Sequence, residues 1–310
     1  MTVGARLRVP VPRRTLVARP RLANPFINQP LPRLVLLCAA AGSGKTTLLQ
    51  QWLAQVVAEP GLSGRPAARV AWVSLDESDV DPGQFLTDLV GAVGAVDGAL
   101  AARALALLAD GRAEPEDVMV GLDEDLDGAA GLIVIALDDL HLMTTGQAAT
   151  DAFAFLIDNL PPRVVVAATS RTDPALPLAR LRARGELVEV GDADLRFNDA
   201  EAAAFFRTSL GLDLQAAQIQ ALASRTEGWA AGLQLAGVSA RAHVAEGPDA
   251  VDAFIRAFSG THRFVIDYLV QEVLDAQPVE TRTFLSRART GVVVAVDQSD
   301  SQQVLRLRHG

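Results

Sequence analysis

The 310-residue sequence contains one cysteine, one tyrosine and no long apolar run. A single cysteine, Cys38, excludes an internal disulfide and argues against a thiolate metal cluster, so a reducing, cytoplasmic setting is expected. A helix that spans a bilayer needs about 20 apolar residues, and no apolar run in this sequence approaches that length, so no membrane contact is expected. Residues 1–14 lack the apolar core of a secretory signal, and six prolines between residues 10 and 32 disfavour the amphipathic helix of a transit peptide.

The start of the sequence also lacks acidic residues. Residues 1–58 contain eight basic residues and no acidic one, which leaves 20 of the 28 basic residues and all 37 acidic residues in residues 59–310. Because that larger part is acidic, we expect no direct DNA binding by this chain. The basic start faces either a polyphosphate or solvent, and charge alone favours a solvated arm.

Lysine is nearly absent as well, since 27 positions carry arginine and only Lys45 is a lysine. It lies in the segment Ala41-Gly42-Ser43-Gly44-Lys45-Thr46-Thr47, between an apolar run and a helical pattern. Such a loop turns backbone N–H groups towards phosphate oxygens, and the helix N-terminus adds partial positive charge. The pattern predicts a P-loop in which Lys45 contacts the β- and γ-phosphates of a nucleotide and Thr46 binds Mg²⁺. Ala39 stands where glycine is usual, and the alternative interpretation is a glycine-rich turn with an incidental lysine.

Five apolar runs have the length of buried strands, and helical stretches separate them. The expected strands are Leu34–Ala39, Val70–Leu75, Leu132–Leu137, Val164–Thr169 and Glu186–Val190; the helical stretches are Lys45–Val57, Pro82–Ala109 and Thr150–Leu160. This alternation predicts an α/β fold, a P-loop NTPase with a five-stranded, mainly parallel sheet flanked by helices. An all-helical region follows, with a capping box at Asn198 and Glu201 and helices near residues 199–210, 215–225, 229–241, 249–258 and 262–276.

An acidic pair ends the third expected strand. Because ligands of open α/β sheets bind at the carboxyl ends of the strands, Asp138 and Asp139 are expected beside the P-loop. We expect Asp138 to hold Mg²⁺ through its water shell and Asp139 to orient or deprotonate the attacking water. Arg171, after the fourth strand, is either a sensor of the γ-phosphate or a surface arginine.

Other polar patterns predict no site. Asp123–Gly128 resembles the start of an EF-hand loop, but Val134 occupies the twelfth position, so a solvated turn is expected. The four histidines have no metal-binding spacing. Cys38 is expected to be buried and inert, and the three tryptophans are expected to be core or interface residues.

Several segments between about Val11 and Leu285 resemble the nucleotide-binding module of MalT-type regulators, which are ATP-dependent transcription factors of the LuxR family. The segments that carry the resemblance are the P-loop followed by Gln51-Trp52-Leu53, Val70-Ala71-Trp72-Val73-Ser74-Leu75-Asp76-Glu77, Leu137-Asp138-Asp139-Leu140-His141-Leu142, Ser170-Arg171-Thr172-Asp173-Pro174, Leu178-Ala179-Arg180-Leu181-Arg182-Ala183-Arg184-Gly185, Thr226-Glu227-Gly228-Trp229-Ala230-Ala231-Gly232-Leu233-Gln234-Leu235 and Asp267-Tyr268-Leu269-Val270-Gln271-Glu272-Val273-Leu274. Alanine at position 39 is ordinary in that family.

The resemblance implies a signalling NTPase of the STAND type that uses ATP, ADP and Mg²⁺. It places Pro12 and Arg13 in an arm near the adenine and makes Arg171 the γ-phosphate sensor. It further implies that Gly228-Trp229 begins a helical signature that closes over the nucleotide. Members are held closed by ADP and self-associate when ATP and an inducer open them.

The resemblance also implies a division into segments. We expect an arm near the adenine at residues 1–33, a P-loop NTPase domain at 34–192, a small helical domain at 193–247, the start of a truncated winged-helix domain at 248–290 and an atypical tail at 291–310. The family continues into a sensor domain and a helix-turn-helix, and we expect both to be missing from this chain.

The resulting prediction is an ATP- and ADP-binding regulatory switch with slow, Mg²⁺-dependent hydrolysis that serves signalling rather than metabolism. The catalytic residues would be Lys45, Asp139 and Arg171. The alternative is a non-hydrolysing nucleotide-binding scaffold for protein interaction. A metabolic kinase is disfavoured because no motif for binding a phosphoryl acceptor is visible.

Overall fold

The computed structural model describes residues 6–11, 15–27, 29–58, 68–143, 146–244, 246–258, 293–295 and 306–308. The chain divides into two units, residues 1–257 and residues 258–310. In the second unit, two short strands, Val293–Ala295 and Arg306–Arg308, pair in an antiparallel manner. The predicted helix near residues 262–276 lies outside the described residues.

A five-stranded sheet forms the centre of the first unit. Its strands are β1 (Leu34–Cys38), β2 (Arg69–Ser74), β3 (Ile133–Asp138), β4 (Val164–Ser170) and β5 (Leu187–Val190). They are arranged in the order β2-β3-β4-β1-β5, and every pairing is parallel. The predicted α/β fold is therefore confirmed. Because β4 lies between β1 and β3, the carboxyl ends of these three strands meet at one edge of the sheet.

Helices cover both faces of the sheet and continue beyond it. They are α1 (Lys45–Ala58), α2 (Pro82–Val96), α3 (Ala102–Asp110), α4 (Pro115–Asp127), α5 (Gln147–Asn159), α6 (Leu178–Arg184), α7 (Asp192–Leu195), α8 (Asp199–Ala204), α9 (Ala216–Thr226), α10 (Ala230–Val244) and α11 (Pro248–Ala257). Among the described helices, none is long and apolar enough to cross a membrane.

The strands are apolar at successive positions because both of their faces are buried. Leu34 and Leu36 of β1 pack into a core formed with α2, α4 and α5. Val35 and Leu37 point the other way, into a second core that contains Trp52 of α1. Side chains alternate between the two faces of a strand, so a sheet with helices on both sides needs apolar residues throughout.

The acidic segment Asp123–Gly128 is not the solvated turn that the sequence predicts. Its first five residues form the last part of α4. Pro115 opens this helix at a position where its missing N–H costs nothing. Val118, Leu122 and Leu126 are buried at intervals of four residues, so the apolar side of α4 overrides the turn-like acidic composition.

The described part of the arm after Thr15 runs along α1. The Gln51 side-chain amide donates to the Val17 carbonyl over 2.7 Å. The Trp52 indole donates to the Leu22 carbonyl over 3.2 Å. Bonds from two side chains of α1 therefore hold this part of the arm, and residues 15–27 form neither helix nor strand.

Two arginines connect the arm to the helical region. Arg19 donates to the Arg196 carbonyl over 2.8 Å and to the Glu201 carboxylate over 3.2 Å. Arg21 donates to the same carboxylate over 3.0 Å. Glu201 is buried, and it also closes the predicted capping box, because it accepts from the Asn198 N–H. One carboxylate therefore both caps α8 and fixes the arm.

At its beginning the arm places a buried arginine against the NTPase sheet. Arg6 donates to the Ser74 carbonyl over 2.9 Å and forms ion pairs with Asp76, Asp79 and Asp88. Asp79 is completely buried and Asp88 is 3% exposed. A single guanidinium thus balances two buried carboxylates and a third, more exposed one. The arm, the sheet and the helical region share one compact unit, and the predicted boundaries at 33, 192 and 247 stay predictions.

Candidate functional site

The predicted P-loop connects β1 to α1. Gly42 and Gly44 adopt left-handed backbone conformations, with φ of 70° and 93°, which glycine adopts without steric cost. The Lys45 ammonium donates to the carbonyls of Ala39 and Ala40 over 2.7 and 2.9 Å. It is nearly buried, and burial is the main cause that lowers its pKa. The lysine therefore folds back across its own loop.

The hydroxyl of Thr46 and the carboxylate of Asp138 lie in direct contact, although 92 residues separate them. Thr46 Oγ1 donates to Asp138 Oδ1 over 2.8 Å, and Thr169 Oγ1 donates to the same oxygen over 2.6 Å. Burial is the main cause that raises the pKa of Asp138, and the two hydroxyl donors oppose that rise. Two donors on one oxygen fix the orientation of this carboxylate.

Thr169 is a site residue that the sequence analysis missed. It is completely buried at the end of β4, and its hydroxyl also accepts the backbone N–H of Asp139 over 3.0 Å. Asp139 has a φ of 63°, an unfavourable conformation for a residue with a side chain. The bond from Thr169 therefore helps to hold a strained residue. The sequence did offer one signal for this role: Thr169 is a hydroxyl residue at the end of an expected strand, as Asp138 is an acidic residue at the end of another.

The remaining charged candidates surround this contact. Arg171 directly follows β4, and its positive charge contributes to lowering the pKa of Lys45 and of His141. His141 Nδ1 lies 3.9 Å from Asp139 Oδ1, and burial is the main cause of its lowered pKa. Burial raises the pKa of the Cys38 thiol to about 12, so this cysteine stays protonated and unreactive at neutral pH.

Three groups from beyond the sheet bind consecutive residues of the P-loop. The Ala40 N–H donates to Asp192 Oδ1 over 3.0 Å. The Trp229 indole donates to the Ala41 carbonyl over 3.1 Å, and the Ala231 N–H donates to the Gly42 carbonyl over 3.0 Å. The resemblance implied that Trp229 lies near the nucleotide, but the three bonds themselves were not expected, because each depends on where the helical region lies against the loop.

A cavity of about 760 Å³ opens between the arm and α1. Its lining is mostly apolar and includes Val11, Leu16, Leu48 and Gln51. The size is in the range of sites for small organic ligands. Pro12 and Arg13, the residues expected near the adenine, lie outside the described residues.

The residues of the loop fit a nucleotide with Mg²⁺. Ser43 Oγ is buried and has no hydrogen-bond partner within the described residues, so the loop holds an unsatisfied polar group where phosphate oxygens would bind. Thr46 and Asp138 offer the oxygen ligands that Mg²⁺ prefers, and such sites are completed by phosphate and water. Ala41 and Thr47 flank the same loop, and Thr47 is exposed.

Comparison with known proteins agrees with this geometry. Residues 31–171 match the family model described as an AAA domain. The serine/threonine-protein kinase PknK of Mycobacterium tuberculosis is 33% identical over 285 residues, which is 92% of this chain and 24% of that protein. The HTH-type transcriptional regulator MalT of Yersinia enterocolitica is 32% identical over 288 residues, which is 93% of this chain and 30% of that protein.

A solved structure supports the fold alone. The ORC1 protein of Aeropyrum pernix, in complex with DNA, superposes with a TM-score of 0.50 and 16% identity, covering 84% of this chain and 67% of that one. The chain spans less than a third of the length of PknK and MalT. The parallel sheet, the P-loop at the end of β1 and the relatedness over nine-tenths of the sequence lead to one assignment: this chain is a MalT-like nucleotide-binding module with a P-loop NTPase fold.

Proposed function

We propose that the module is a regulatory switch that binds ATP and ADP and hydrolyses ATP slowly with Mg²⁺. The observation that carries the proposal is the contact between Thr46 and Asp138 beside a buried Lys45. This arrangement joins a P-loop to an acidic strand end, which is the pairing that phosphoryl transfer requires.

Different groups of the site bind different parts of the nucleotide. Backbone N–H groups of residues 41–47 donate to phosphate oxygens, and the Lys45 ammonium neutralises the β- and γ-phosphates. Thr46 and Asp138 hold Mg²⁺, which supplies positive charge to the phosphate oxygens when bound. We place the base in the apolar cavity beside the arm, and Pro12 and Arg13 keep the role near the adenine that the resemblance implies.

Hydrolysis needs two further residues. Asp139 orients or deprotonates the attacking water, and its strained backbone is held by Thr169. Arg171 contacts the γ-phosphate, because it follows the strand between β1 and β3 and its charge acts on Lys45. These positions give Asp139 and Arg171 catalytic roles that depend on the third phosphate.

A regulatory role is supported by the contacts of the P-loop with the helical region. Trp229 and Ala231 donate directly to the loop. A change in the conformation of the loop at the phosphates would therefore alter a hydrogen bond of α10 directly. MalT is named a transcriptional regulator, and this chain would serve as the switch within such a protein. Its cytoplasmic location and its nucleotide-dependent self-association belong to this proposal, and DNA contact would come from other domains.

The proposal is tested by phosphate release and molar mass of the purified chain in ATP and in ADP, both with Mg²⁺. We expect slow turnover and a larger mass in ATP than in ADP. Asp139→Asn should retain nucleotide but lose turnover, because it keeps the shape of the side chain without its basicity. Absence of turnover together with an identical mass in both nucleotides would instead favour the non-hydrolysing scaffold.

A further inference from the structure

Two donors of the helical region hold successive carbonyls of the P-loop. Trp229 Nε1 donates to Ala41 O over 3.1 Å, and the Ala231 N–H donates to Gly42 O over 3.0 Å. Ala231 lies in the first turn of α10, where backbone N–H groups have no partner inside the helix. The loop thus provides an acceptor for a donor that the helix itself leaves unsatisfied.

Holding a carbonyl also orients the neighbouring N–H. A trans peptide unit is planar, and its C=O and N–H point in opposite directions. Fixing Ala41 O towards Trp229 therefore turns the Gly42 N–H away from the helical region. Fixing Gly42 O towards α10 does the same to the Ser43 N–H. Within the described residues the Gly42 N–H has no partner, and the Ser43 N–H makes only a long bond of 3.4 Å to Ala40 O.

The peptide unit one step earlier shows the same relation directly. The Ala40 N–H points to Asp192 Oδ1 over 3.0 Å, and the carbonyl of the same unit, Ala39 O, accepts the Lys45 ammonium over 2.7 Å. The external group and the phosphate-binding lysine therefore lie on opposite sides of that peptide. Outward contacts at Ala41 and Gly42 direct inward donors by the same geometry.

The position of Trp229 is set firmly by its neighbours. Gly228 has a φ of 71°, and a Cβ there would lie 2.4 Å from the Phe197 carbonyl oxygen. The Phe197 N–H donates to Gly228 O over 2.8 Å. Ala230 packs against the loop, because its Cβ lies 3.9 Å from the position of a Cβ on Gly44. The indole is therefore presented to the loop by a rigid turn.

We propose that Trp229 is a positioning residue for phosphate binding, which acts by fixing the Ala41–Gly42 peptide so that the Gly42 N–H faces the phosphates. Trp229 itself does not touch the nucleotide in this account. The proposal rests on the proposed function, since it assumes that the loop binds phosphates. It adds that the helical region prepares the loop before any ligand arrives.

The test uses the full chain and titration calorimetry with two ligands, ADP and inorganic pyrophosphate. Trp229→Phe removes the indole N–H and keeps an aromatic ring. Because the effect is on the phosphates, this variant should bind both ligands about three- to tenfold more weakly, the loss expected for one hydrogen bond. Trp72→Phe is the matched control, since it removes a similar bond, from an indole of β2 to the Ser74 hydroxyl over 2.9 Å, and it should bind both ligands as the wild type does.

A second variant, Ala231→Pro, removes the other donor at a helix position that tolerates proline. It should weaken pyrophosphate binding by a similar factor, with urea unfolding reporting that each variant is folded. Wild-type pyrophosphate affinity in both variants would overturn the proposal. Weaker ADP binding with unchanged pyrophosphate binding in Trp229→Phe would also overturn it, because the indole would then act on the base. If the wild type binds neither ligand, the proposed function itself fails.

Discussion

Thr169→Val tests the hydroxyl of β4 that hydrogen-bonds to Asp138 and Asp139 at the end of β3. Valine keeps the size of threonine but removes a hydroxyl that donates to Asp138 over 2.6 Å and accepts from the Asp139 N–H over 3.0 Å. A hydrogen bond to a charged group contributes about 1.5–3 kcal/mol and a neutral one about 1 kcal/mol. Since Thr169 is completely buried, no water replaces either partner, and we expect the free energy of unfolding to fall by about 2–4 kcal/mol.

The control for this change is Thr150→Val. Thr150 is also buried, and its hydroxyl donates to the Gly146 carbonyl over 2.8 Å. That carbonyl keeps the Thr150 N–H as a second donor, so the loss should stay near about 1 kcal/mol. Urea unfolding measures both variants, and Thr169→Ser should recover most of the stability and of the Mg²⁺-dependent ATP turnover.

The turnover assay separates a positioning role from a purely structural one. We expect Thr169→Val to retain ADP affinity, because the P-loop donors are untouched, and to lose turnover, because Asp138 and Asp139 are no longer fixed. If Thr169→Val costs no more stability than Thr150→Val and turns ATP over at the wild-type rate, the hydroxyl does not organise the acidic pair.

Two further predictions concern the frame around the site. Arg6→Met should cost about 3–5 kcal/mol of unfolding free energy at neutral pH, because it leaves Asp79 and Asp88 buried without their counter-charge. Arg182→Met, which breaks an exposed pair with Glu189, should cost far less, because water screens that pair. Burial already raises the pKa of Asp79, and removing Arg6 raises it further. A carboxyl with a raised pKa contributes to the free energy of unfolding only while it is protonated, and this contribution is lost as pH rises through that pKa. Acid therefore neutralises the carboxylates that lack their counter-charge, and the Arg6→Met penalty should shrink as pH falls. Equal penalties at pH 5 and pH 8 would contradict this. Gly228→Ala should destabilise more than Gly211→Ala, since both have positive φ but only position 228 would force a Cβ against Phe197; equal melting temperatures would contradict the close contact.

The sequence allowed the fold to be predicted because its strands are buried on both faces and therefore read as continuous apolar runs. Strand positions agree within one residue at most ends, for example Leu132–Leu137 against the observed Ile133–Asp138. The helix α4 was missed because seven of its residues are acidic or glycine, and its buried residues are only Val118, Met119, Gly121, Leu122 and Leu126. Its stability comes from tertiary packing, which composition does not show.

The site could be predicted only where its residues share a local pattern. Lys45 and Thr46 belong to one loop, and Asp138 follows an apolar strand, so each has a signal in the sequence. Thr169, Asp192 and Trp229 act through contacts that span 30 to 188 residues, and these depend on the strand order and on the position of the helical region. A parallel sheet brings distant segments to one edge, and the order of its strands cannot be predicted from any single segment.

The central claim is that Lys45 is a lysine because a P-loop needs a compact charge between phosphates. Lys45 donates to two carbonyls in a nearly buried position, and the larger, forked guanidinium would not fit these contacts. The direct test is calorimetric titration of the wild type, Lys45→Ala and Lys45→Arg with ADP. We predict tight binding by the wild type, none by Lys45→Ala, and at least about tenfold weaker binding by Lys45→Arg, the loss of one charge-assisted hydrogen bond. Wild-type ADP affinity in both variants would contradict the account.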